Sequence, residues 1–390
     1  MAKVIISLLG GRPVSNVVSA LHLKPDHFYI VVSEDSLETN GNYEKAIGAL
    51  PAQLKPSAPH FVKPYVLAET IQRCEAIFEQ HKEDQIIVVS ASEPKTMGFG
   101  AYDFVRRLKA DGRDIDMCYL SREGLIWVFR AENNVEPVEI SLKDYFASYG
   151  WDIISRAKEE APKFQQLVSL LIGNLPTSHH LLSVIRSRDK GKGKRTIKHN
   201  GRLNDEEFLV LQEIEKLQII SNVRRTNTET VWTVNSDEDA KFLLTGDWLE
   251  FGVWQYAVGL ATPHPLFSEC GWGVEDQTGK GEIDFAGIVG GQVIIVSCKT
   301  EDSIKRTWFE ELHSKVEQLG KGMCSAILIS SVSKESRKES DLQTYEKWAS
   351  ERQIALVMAE DISKMPDVFK KIATNDKNAE PKHISCYARI

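Results

Sequence analysis

The sequence predicts an α/β protein that begins with a Rossmann-like parallel sheet, continues through a small helical module and ends in a second, mixed sheet. Three observations predict this order. Continuous apolar runs alternate with helical patterns over the first 130 residues, three helical segments and two short β-like runs follow from about 161 to 234, and strands and helices mix again after 246. Since a domain usually has about 100–200 residues, we expect domains at residues 1–140, 141–245 and 246–390.

Composition excludes several classes of protein. The chain is 42% hydrophobic and 26% charged, as is typical of a folded globular protein, and it has no run of about 18 apolar residues that would span a membrane. The segment MAKVIISLLGG has one lysine and is typical of a first strand and its turn, not of a signal peptide. None of the six cysteines forms a CxxC pair, so we expect free thiols in a reducing compartment. We therefore expect a cytoplasmic protein without a membrane partner.

The first third is predicted to contain five strands, with helices ending near Leu23 and covering about 67–81 and 95–109. Its strand segments are apolar throughout, which is typical of parallel strands covered by helices on both faces. Ligands bind such sheets at the carboxyl ends of the strands, where this sequence has LGGR, SEDS and SAS. The predicted strands are Lys3–Leu9, Phe28–Ser33, Ile86–Ser90, Asp116–Leu120 and Leu125–Arg130.

The middle third has the element order of a winged helix, although an insert without special function would show a similar pattern. Three helical segments precede two short β-like runs that are separated by a polar turn. The helices are predicted at Pro162–Ile172, Ser178–Arg186 and Asp205–Leu217, and the β-like runs at Gln218–Arg225 and Thr230–Asn235.

A basic loop interrupts this module. The 17 residues from Arg186 to Arg202 include eight basic residues and one aspartate, a charge of +7, whereas the whole chain carries −7 and the remainder therefore −14. Lysine and arginine gain affinity for nucleic-acid phosphates by releasing counterions, so the acidic average does not exclude a nucleic-acid partner. The alternative is a solvated loop without a partner. The candidate contacts are Lys190, Lys192, Lys194, Arg195 and Lys198.

The last third contains a candidate catalytic hairpin, GEIDFAGIVGGQVIIVSCKT. Glu282 and Asp284 are two residues apart on one predicted strand, so we expect both side chains on one face. Ser297 and Lys299 share a face of the next strand, which places Asp284 opposite Lys299 at the open end of the hairpin. Carboxylates bind hard cations such as Mg²⁺ or Mn²⁺, and such a metal activates water and polarises a phosphodiester. The alternative is a structural salt bridge.

The order of these residues resembles the PD-(D/E)xK nuclease core over about 246–330. Glu250 lies on a preceding helix, Asp284 on a strand and Lys299 on the next strand, within an αβββαβ order. The resemblance implies a divalent metal held by Asp284, Glu282 and Glu250, with Lys299 positioning the attacking water or stabilising the transition state. The family usually has an acidic residue two positions before the lysine, where this chain has Ser297, so we expect Glu282 to supply the missing carboxylate.

The N-terminal segment ISLLGGRPVSNVVSALHLKPDHFYIVVSEDS resembles the CARF domain that opens CRISPR-associated ancillary nucleases, and GEIDF and VSCKT are similar to phrases of the same family. In that family a linker or winged-helix part and a PD-(D/E)xK domain follow. The resemblance implies a homodimer whose paired CARF domains bind a cyclic oligoadenylate, with cyclic tetra-adenylate as the expected activator. It further implies metal-dependent cleavage of DNA or RNA in type III CRISPR antiviral defence.

The same resemblance assigns contacts with the activator to three loops. Relatives often have a Gly-Gly-Thr-Lys type of third loop, whereas this chain reads SASEPKTMGFGAY, without the glycine pair. A tight βα turn is the alternative role of the first-loop glycines. The expected contacts are Gly10, Gly11, Arg12, Ser15 and Asn16 in the first loop, Ser33, Glu34 and Ser36 in the second, and Lys95, Thr96 and Met97 in the third.

Two other functions stay open. In one, the chain is a non-catalytic sensor of cyclic oligoadenylate that binds nucleic acid, and Ser297 marks a nuclease domain that has lost its metal. In the other, it is a restriction-type nuclease that needs no activator. The adjacent His179 and His180, and also His264, are expected to be structural, because none has metal-ligand spacing from another candidate.

Overall fold

The computed structural model describes residues 1–38, 41–56, 58–90, 92–121, 124–130, 135–155, 162–188, 196–260 and 265–374. These residues form a seven-stranded, a three-stranded and a six-stranded sheet with helices around them, so the predicted α/β class is confirmed. No helix within those ranges combines the length and the hydropathy that a membrane span requires.

The first sheet has the strand order β3-β2-β1-β4-β5-β6-β7. Strands β1 to β5 run parallel, β6 pairs antiparallel with β5, and β7 pairs antiparallel with β6. The connections reverse direction between β1 and β4, which is where a parallel sheet leaves a crevice for a ligand. The strands are β1 (Lys3–Leu9), β2 (His27–Ser33), β3 (His60–Val62), β4 (Gln85–Ser90), β5 (Ile115–Leu120), β6 (Leu125–Trp127) and β7 (Val135–Glu136).

Helices cover both faces of this sheet, as the apolar strands predict. All but one residue of β1 is buried. The predicted helices near 67–81 and 95–109 are confirmed to within one residue at each end. The helices are α1 (Val14–Leu23), α2 (Asp35–Glu38), α3 (Asn42–Ala49), α4 (Leu67–Gln80) and α5 (Lys95–Ala110), with a 3₁₀ turn at Ala52–Leu54.

A short helix and strand lead out of the first sheet. The helix, α6 (Leu142–Ala147), begins at Ser141, whose side chain accepts the Asp144 N–H. The strand, β8 (Ile153–Ile154), pairs with β12 (Glu269–Asp276) at the edge of the six-stranded sheet. Residues at the start of the range predicted for the connecting module thus complete the last sheet.

Helices and a three-stranded antiparallel sheet of order β10-β11-β9 form the middle of the chain. Helix α9 is well specified by the sequence, because Asn204 and Glu207 form a capping box at its start. Strand β9 and helix α10 are additions to the predicted elements. The elements are α7 (Pro162–Gly173), α8 (Leu175–Arg188), β9 (Thr196–Asn200), α9 (Asp205–Lys216), β10 (Ile220–Arg225), β11 (Glu229–Val234) and α10 (Asp237–Thr245).

The last sheet has the order β16-β15-β14-β13-β12-β8. Strands β12 to β14 are antiparallel, and β14 to β16 are parallel, which reproduces the predicted αβββαβ order. Its elements are α11 (Asp247–Gly259), β12, β13 (Glu282–Val289), β14 (Gln292–Lys299), α12 (Arg306–Gln318), β15 (Cys324–Ser330), α13 (Glu339–Arg352), β16 (Ile354–Val357) and α14 (Met365–Thr374), with 3₁₀ segments at Lys334–Ser336 and Ala359–Lys364.

The hydrophobic core joins these parts instead of separating them. One buried cluster extends from Ile5 of β1 through Tyr145 of α6 to Leu312 of α12, so it spans the first and last sheets. A second cluster unites the middle of the chain with the other face of the last sheet and includes Trp232 and Phe285. The last sheet is therefore covered on one face by α6, α12 and α13, of which α6 also contacts α1 and α3, and on the other face by α11, which packs against α7 of the middle module.

Candidate functional site

The carboxylate of Asp284 lies where β13 and β14 separate. The ladder between these strands runs from Val289–Gln292 to Phe285–Val296. Beyond it, Asp284 Oδ2 accepts the backbone N–H of Cys298 at 2.5 Å and the hydroxyl of Ser297 at 3.3 Å. The carboxylate thus replaces a ladder hydrogen bond and is held in a fixed orientation.

The role of Ser297 follows from this contact. It occupies the position at which the PD-(D/E)xK nucleases, which this chain resembles in sequence, have an acidic residue. Its hydroxyl donates a hydrogen bond to Asp284. A serine hydroxyl is a weaker ligand for a hard cation than a carboxylate is. Ser297 therefore orients the aspartate and is not placed as a substitute for a third carboxylate.

Glu282 and Asp284 do not share a face of β13 as expected. The regular alternation of side chains between the two faces of the strand is interrupted between them. Phe285 packs into the second core cluster, whereas Ile283, two residues earlier, packs into the first. Gly273, in the register position opposite Asp284, has a φ of +53°, a left-handed conformation that favours glycine. The side chain of Glu282 is consequently exposed at the mouth of the site.

Glu250, Asp284 and Lys299 are brought together around Cys298. Burial raises the pKa of the Cys298 thiol well above its ordinary value, and the charges of Asp284 and Glu250 raise it further, whereas that of Lys299 lowers it. The Lys299 Nζ lies 6.0 Å from the centre of the Trp308 ring, within cation–π range. The structure therefore places a helix carboxylate, a strand carboxylate and a lysine at one end of the last sheet.

Lys315 is a second lysine at this end and was not predicted. Its Nζ donates to the backbone carbonyl of Glu282. Burial lowers the pKa of Lys315, the Asp284 charge raises it and the Lys299 charge lowers it, so the ammonium lies within range of both. A sequence signal existed: Trp308, Leu312 and Lys315 follow helical spacing on the buried face of α12.

The carboxylates at this end of the sheet are of a type that binds a divalent cation, because Mg²⁺ and Mn²⁺ prefer carboxylate oxygens as ligands. Over the described ranges, however, no three His, Cys, Asp or Glu side chains are close enough together to hold a metal ion. Glu250 and Asp284 are near each other, and the exposed Glu282 would have to turn toward them to complete the set.

The carboxyl edge of the first sheet forms a second candidate site, at the crevice between β1 and β4. The N–H of Gly11 donates to the Ser92 carbonyl at 3.1 Å, and the Ser92 hydroxyl donates to the Arg12 carbonyl at 3.0 Å. A Cβ atom at Gly10 would lie 2.3 Å from the Ser92 oxygen. The predicted first and third loops therefore touch, and Gly10 permits that approach.

The other predicted residues of the first and second loops are mostly buried. The Asn16 amide donates to the Ser7 hydroxyl at 2.6 Å and to the Leu8 carbonyl at 3.0 Å, so it ties α1 to β1. Ser15 is also buried. In the second loop, Ser33 and Ser36 are buried with their hydroxyls 2.5 Å apart, and Glu34 is exposed.

In the third loop, Lys95 and Thr96 begin α5 with Lys95 exposed and Thr96 half-buried. Their backbone N–H groups stand at a helix N-terminus, which favours anions. Met97 is instead fully buried in the core beside Ala101 and Phe104. Its side chain therefore supports the sheet, and the expected contact of Met97 with a ligand stays a prediction.

A cavity of about 890 Å³ connects this edge to the last sheet. Arg12 and Lys45 line it from the first sheet, and Lys280 and Lys321 line it from the last. Burial lowers the pKa of Lys45, and the neighbouring charge of Lys280 lowers it further. Clustered cations raise the local concentration of anions. The remaining lining residues are Gly11, Asn42, Ser92, Glu93, Tyr119, Tyr149, Trp151, Ser314, Glu317, Gln318 and Gly320.

The predicted nucleic-acid contacts Lys190, Lys192, Lys194 and Arg195 lie outside the described residues. Lys198 is exposed on β9, where it is paired with Val231, and Val231 is paired in turn with exposed Arg224 of β10. Paired residues share a face, so the two cations lie on one exposed surface about 9–10 Å apart across two strand spacings.

The histidines singled out in the sequence have structural partners. His179 Nδ1 lies 2.8 Å from the Ser331 hydroxyl, and its Nε2 lies 3.1 Å from Asp302. His180 contacts Glu207. His179 thus links α8 to the last sheet, while His264 lies outside the described residues.

Comparisons with solved structures identify the fold. Protein VC1899 from Vibrio cholerae superposes with a TM-score of 0.73 at 16% identity, covering 97% of this chain and 98% of that chain. Can2 from Sulfobacillus thermosulfidooxidans, solved in complex with cyclic tetra-adenylate, gives a TM-score of 0.70 at 14% identity over 95% of this chain and 98% of that chain. A type III CRISPR defence DNA nuclease activated by cyclic oligoadenylate gives 0.53 at 14% identity, over 84% of this chain and 45% of that chain.

At these identities the similarity is one of fold, and it confirms the fold expected from the sequence over nearly the whole chain. No protein-family model matches the sequence, and no curated protein is similar enough to count as a relative.

Proposed function

We propose that this protein is a divalent-metal-dependent nuclease activated by a cyclic oligoadenylate in type III CRISPR defence. The observation that carries the proposal is the cationic cavity, whose lining residues come both from the predicted ligand loops and from the sheet that bears Asp284 and Lys299. The shared fold supports it, because Can2 was solved with cyclic tetra-adenylate and a second neighbour is a nuclease activated by cyclic oligoadenylate.

The proposed roles follow the three regions. Residues 1–140 sense the ligand, 141–245 connect, and 246–390 cleave nucleic acid. Glu250, Asp284 and Glu282 would hold the metal, which when bound supplies Lewis acidity toward a phosphodiester. Ser297 orients Asp284, and Lys299 stabilises negative charge that develops on the phosphate.

The activator is proposed to be cyclic tetra-adenylate, bound in the cavity by Arg12, Lys45, Lys280 and Lys321. Its phosphates are anionic and suit these cations, and the N–H groups at the start of α5 face the same edge. The cavity adds Lys45, Lys280 and Lys321 to the contacts expected from the sequence.

We propose that the protein acts as a homodimer, because a cyclic tetranucleotide repeats four times and one asymmetric set of loops contacts only part of it. An exposed apolar patch adjoins the ligand edge where α4 and α5 begin. Tyr65 is 76% and Phe99 is 64% exposed, and Val66, Leu67 and Tyr102 extend the same surface. A second copy pairing through this patch would bring two sets of ligand loops together.

Substitution of Phe99 tests the dimer. Phe99→Asp is expected to raise the dimer dissociation constant by about 30-fold or more, the effect of losing an aromatic anchor worth about 2 kcal/mol. Analytical ultracentrifugation measures it, with Leu209→Asp, an exposed site on α9, as the matched control. A wild-type chain that is monomeric with cyclic tetra-adenylate contradicts the dimer, and a Phe99 variant as dimeric as the control contradicts pairing through this patch.

The substrate surface is tested by removing Lys198 and Arg224 together. Each phosphate contact contributes a slope of about 0.9 to the dependence of log affinity on log salt for duplex DNA. The double variant K198A/R224A is expected to weaken binding and reduce that slope by about 2, as measured by fluorescence anisotropy between 50 and 200 mM salt. Lys82→Ala, in the turn between α4 and β4, is the control. Equal slopes for all three proteins reject this surface.

The proposed activity is tested by a cleavage assay on DNA and on RNA, with and without cyclic tetra-adenylate and with Mn²⁺ or Mg²⁺. Cleavage that requires both the ligand and a metal is the expected result. Cleavage of equal rate without the ligand would support a ligand-independent nuclease instead.

A non-catalytic sensor is the alternative, and one observation favours it. The part of the chain that the structure describes has no group of three side chains placed to hold a metal, and Ser297 stands where an acidic residue is usual. This alternative predicts tight binding of cyclic tetra-adenylate without cleavage at any concentration of Mn²⁺.

A further inference from the structure

Helix α12 faces both candidate sites. Ser314, Glu317 and Gln318 line the cavity, while Lys315, between them in sequence, donates from Nζ to the Glu282 carbonyl. A single rigid helix thus presents one side to the ligand cavity and the other to the acidic end of β13.

The turn between β12 and β13 also faces both sites. Lys280 lines the cavity, and Glu282 begins β13 only two residues later. The bond from Lys315 to the Glu282 carbonyl joins this turn to α12. Helix α12 and the turn between β12 and β13 both contact the cavity, and they meet at Glu282, two positions before Asp284.

The turn that follows α12 is fixed to α6. The Tyr145 hydroxyl of α6 is shared between the carbonyls of Leu319 at 3.0 Å and Met323 at 2.9 Å. A Cβ atom at Gly322 would lie 2.9 Å from an Arg12 guanidinium nitrogen, so this loop residue rests against the turn that follows α12. Movement of Arg12 would therefore act directly on the turn that follows α12.

We propose that Lys315 is a positioning residue of the nuclease site, which holds the start of β13 and makes its position depend on occupancy of the cavity. The inference rests on the proposed function. Before the ligand binds, Lys315 holds Glu282 with its carboxylate exposed. Movement of α12 on ligand binding carries the Glu282 backbone with it and turns the carboxylate toward Asp284.

The charge of Lys315 contributes as well. It lies within range of the carboxylates of Asp284, Glu282 and Glu311 and of the Lys299 ammonium, so it offsets part of the negative charge at this end. A neutral side chain of similar length removes both the hydrogen bond and the charge. Arginine retains both.

The test uses the full chain with Lys315→Met, the rescue variant Lys315→Arg, and Lys347→Met at an exposed position on α13 as the matched control. Cyclic tetra-adenylate is the probe, and its affinity is measured first by calorimetry. Amide hydrogen exchange of the peptide over Glu282–Val289 is then compared with and without the ligand, and so is cleavage in Mn²⁺.

All four proteins are expected to bind the ligand equally. Exchange at the start of β13 should respond to the ligand in wild type, Lys315→Arg and Lys347→Met, and not in Lys315→Met. Stimulation of cleavage by the ligand should fall by about tenfold in Lys315→Met alone, within the usual range of coupling between sites.

The inference is overturned if Lys315→Met keeps the exchange response and the stimulation of wild type. Should Lys315→Met not fold, a Lys315→Arg protein that binds the ligand without the exchange response likewise overturns it. The proposed function fails separately, if wild type binds no cyclic tetra-adenylate or cleaves neither DNA nor RNA. Because exchange needs no catalysis, it tests the coupling even in a protein that binds the ligand without cleaving.

Discussion

Asp284→Asn is expected to lower cleavage by about 100-fold or more, in the range found when a catalytic group is removed. The substitution removes the negative charge beside Glu250 and Lys299, and with it a carboxylate that could coordinate a cation. It keeps an acceptor oxygen for the Cys298 N–H that Asp284 now binds at 2.5 Å, so the ends of β13 and β14 should stay in place. Affinity for cyclic tetra-adenylate should not change.

The measurement compares initial rates on a labelled substrate at saturating ligand and Mn²⁺. Lys299→Ala should lose activity to a similar degree, because it removes the positive charge at the same end of the sheet. Glu339→Ala, an exposed acidic position at the start of α13, is the matched control. If Asp284→Asn and Lys299→Ala both cleave at the wild-type rate, the nuclease site lies elsewhere.

Gly10→Ala is expected to weaken binding of cyclic tetra-adenylate strongly. A Cβ atom there would lie 2.3 Å from the Ser92 carbonyl oxygen and 2.7 Å from the Glu93 Cα, and both are backbone atoms that cannot rotate away. The first and third loops must separate. Overpacking of this kind costs about 1–3 kcal/mol, or about 5- to 150-fold in affinity.

Gly173→Ala, at the end of α7, is the control, since Gly173 does not line the cavity and a Cβ atom there meets nothing within 4 Å. Isothermal titration calorimetry gives the affinities, and thermal unfolding shows that both variants are folded. Gly173→Ala should bind and be activated like wild type. Equal affinities of the two variants would show that contact between the loops does not form the ligand site.

Local sequence patterns predicted the long elements of this fold. The apolar strands β1, β2, β4 and β14 are continuous runs that no helix periodicity explains, and the hairpin with Gly290 and Gly291 marks the acidic strand. The short strands β3 and β8 were missed because they have only 3 and 2 residues. Strand β8 is defined by its pairing with β12, which is more than a hundred residues away in the chain, and local patterns contain no information about such a partner.

The candidate nuclease site and the cavity likewise combine residues that the sequence identified with features that it did not reveal. Asp284, Lys299 and Glu250 were identified by order along the chain, and the structure brings them together. The interruption at Asp284 depends on the left-handed φ of Gly273, which a strand pattern does not reveal. The four cationic residues of the cavity come from four separate segments of the chain, so no regular spacing in the sequence connects them. The burial of Met97 follows from its spacing from Ala101 and Phe104, which is typical of a buried helix face.

The apolar cluster that runs from Ile5 through Tyr145 to Leu312 has a consequence for folding. Two sheets that share one core cannot lose their structure independently without exposing it to water. A ligand that binds only the native chain lowers its free energy according to the ligand concentration and the dissociation constant. Because the cavity is lined from both sheets, that stabilisation extends to the cleaving end of the molecule. The activator would then act as a folding ligand as well as a signal, protecting the whole chain from unfolding while the signal lasts.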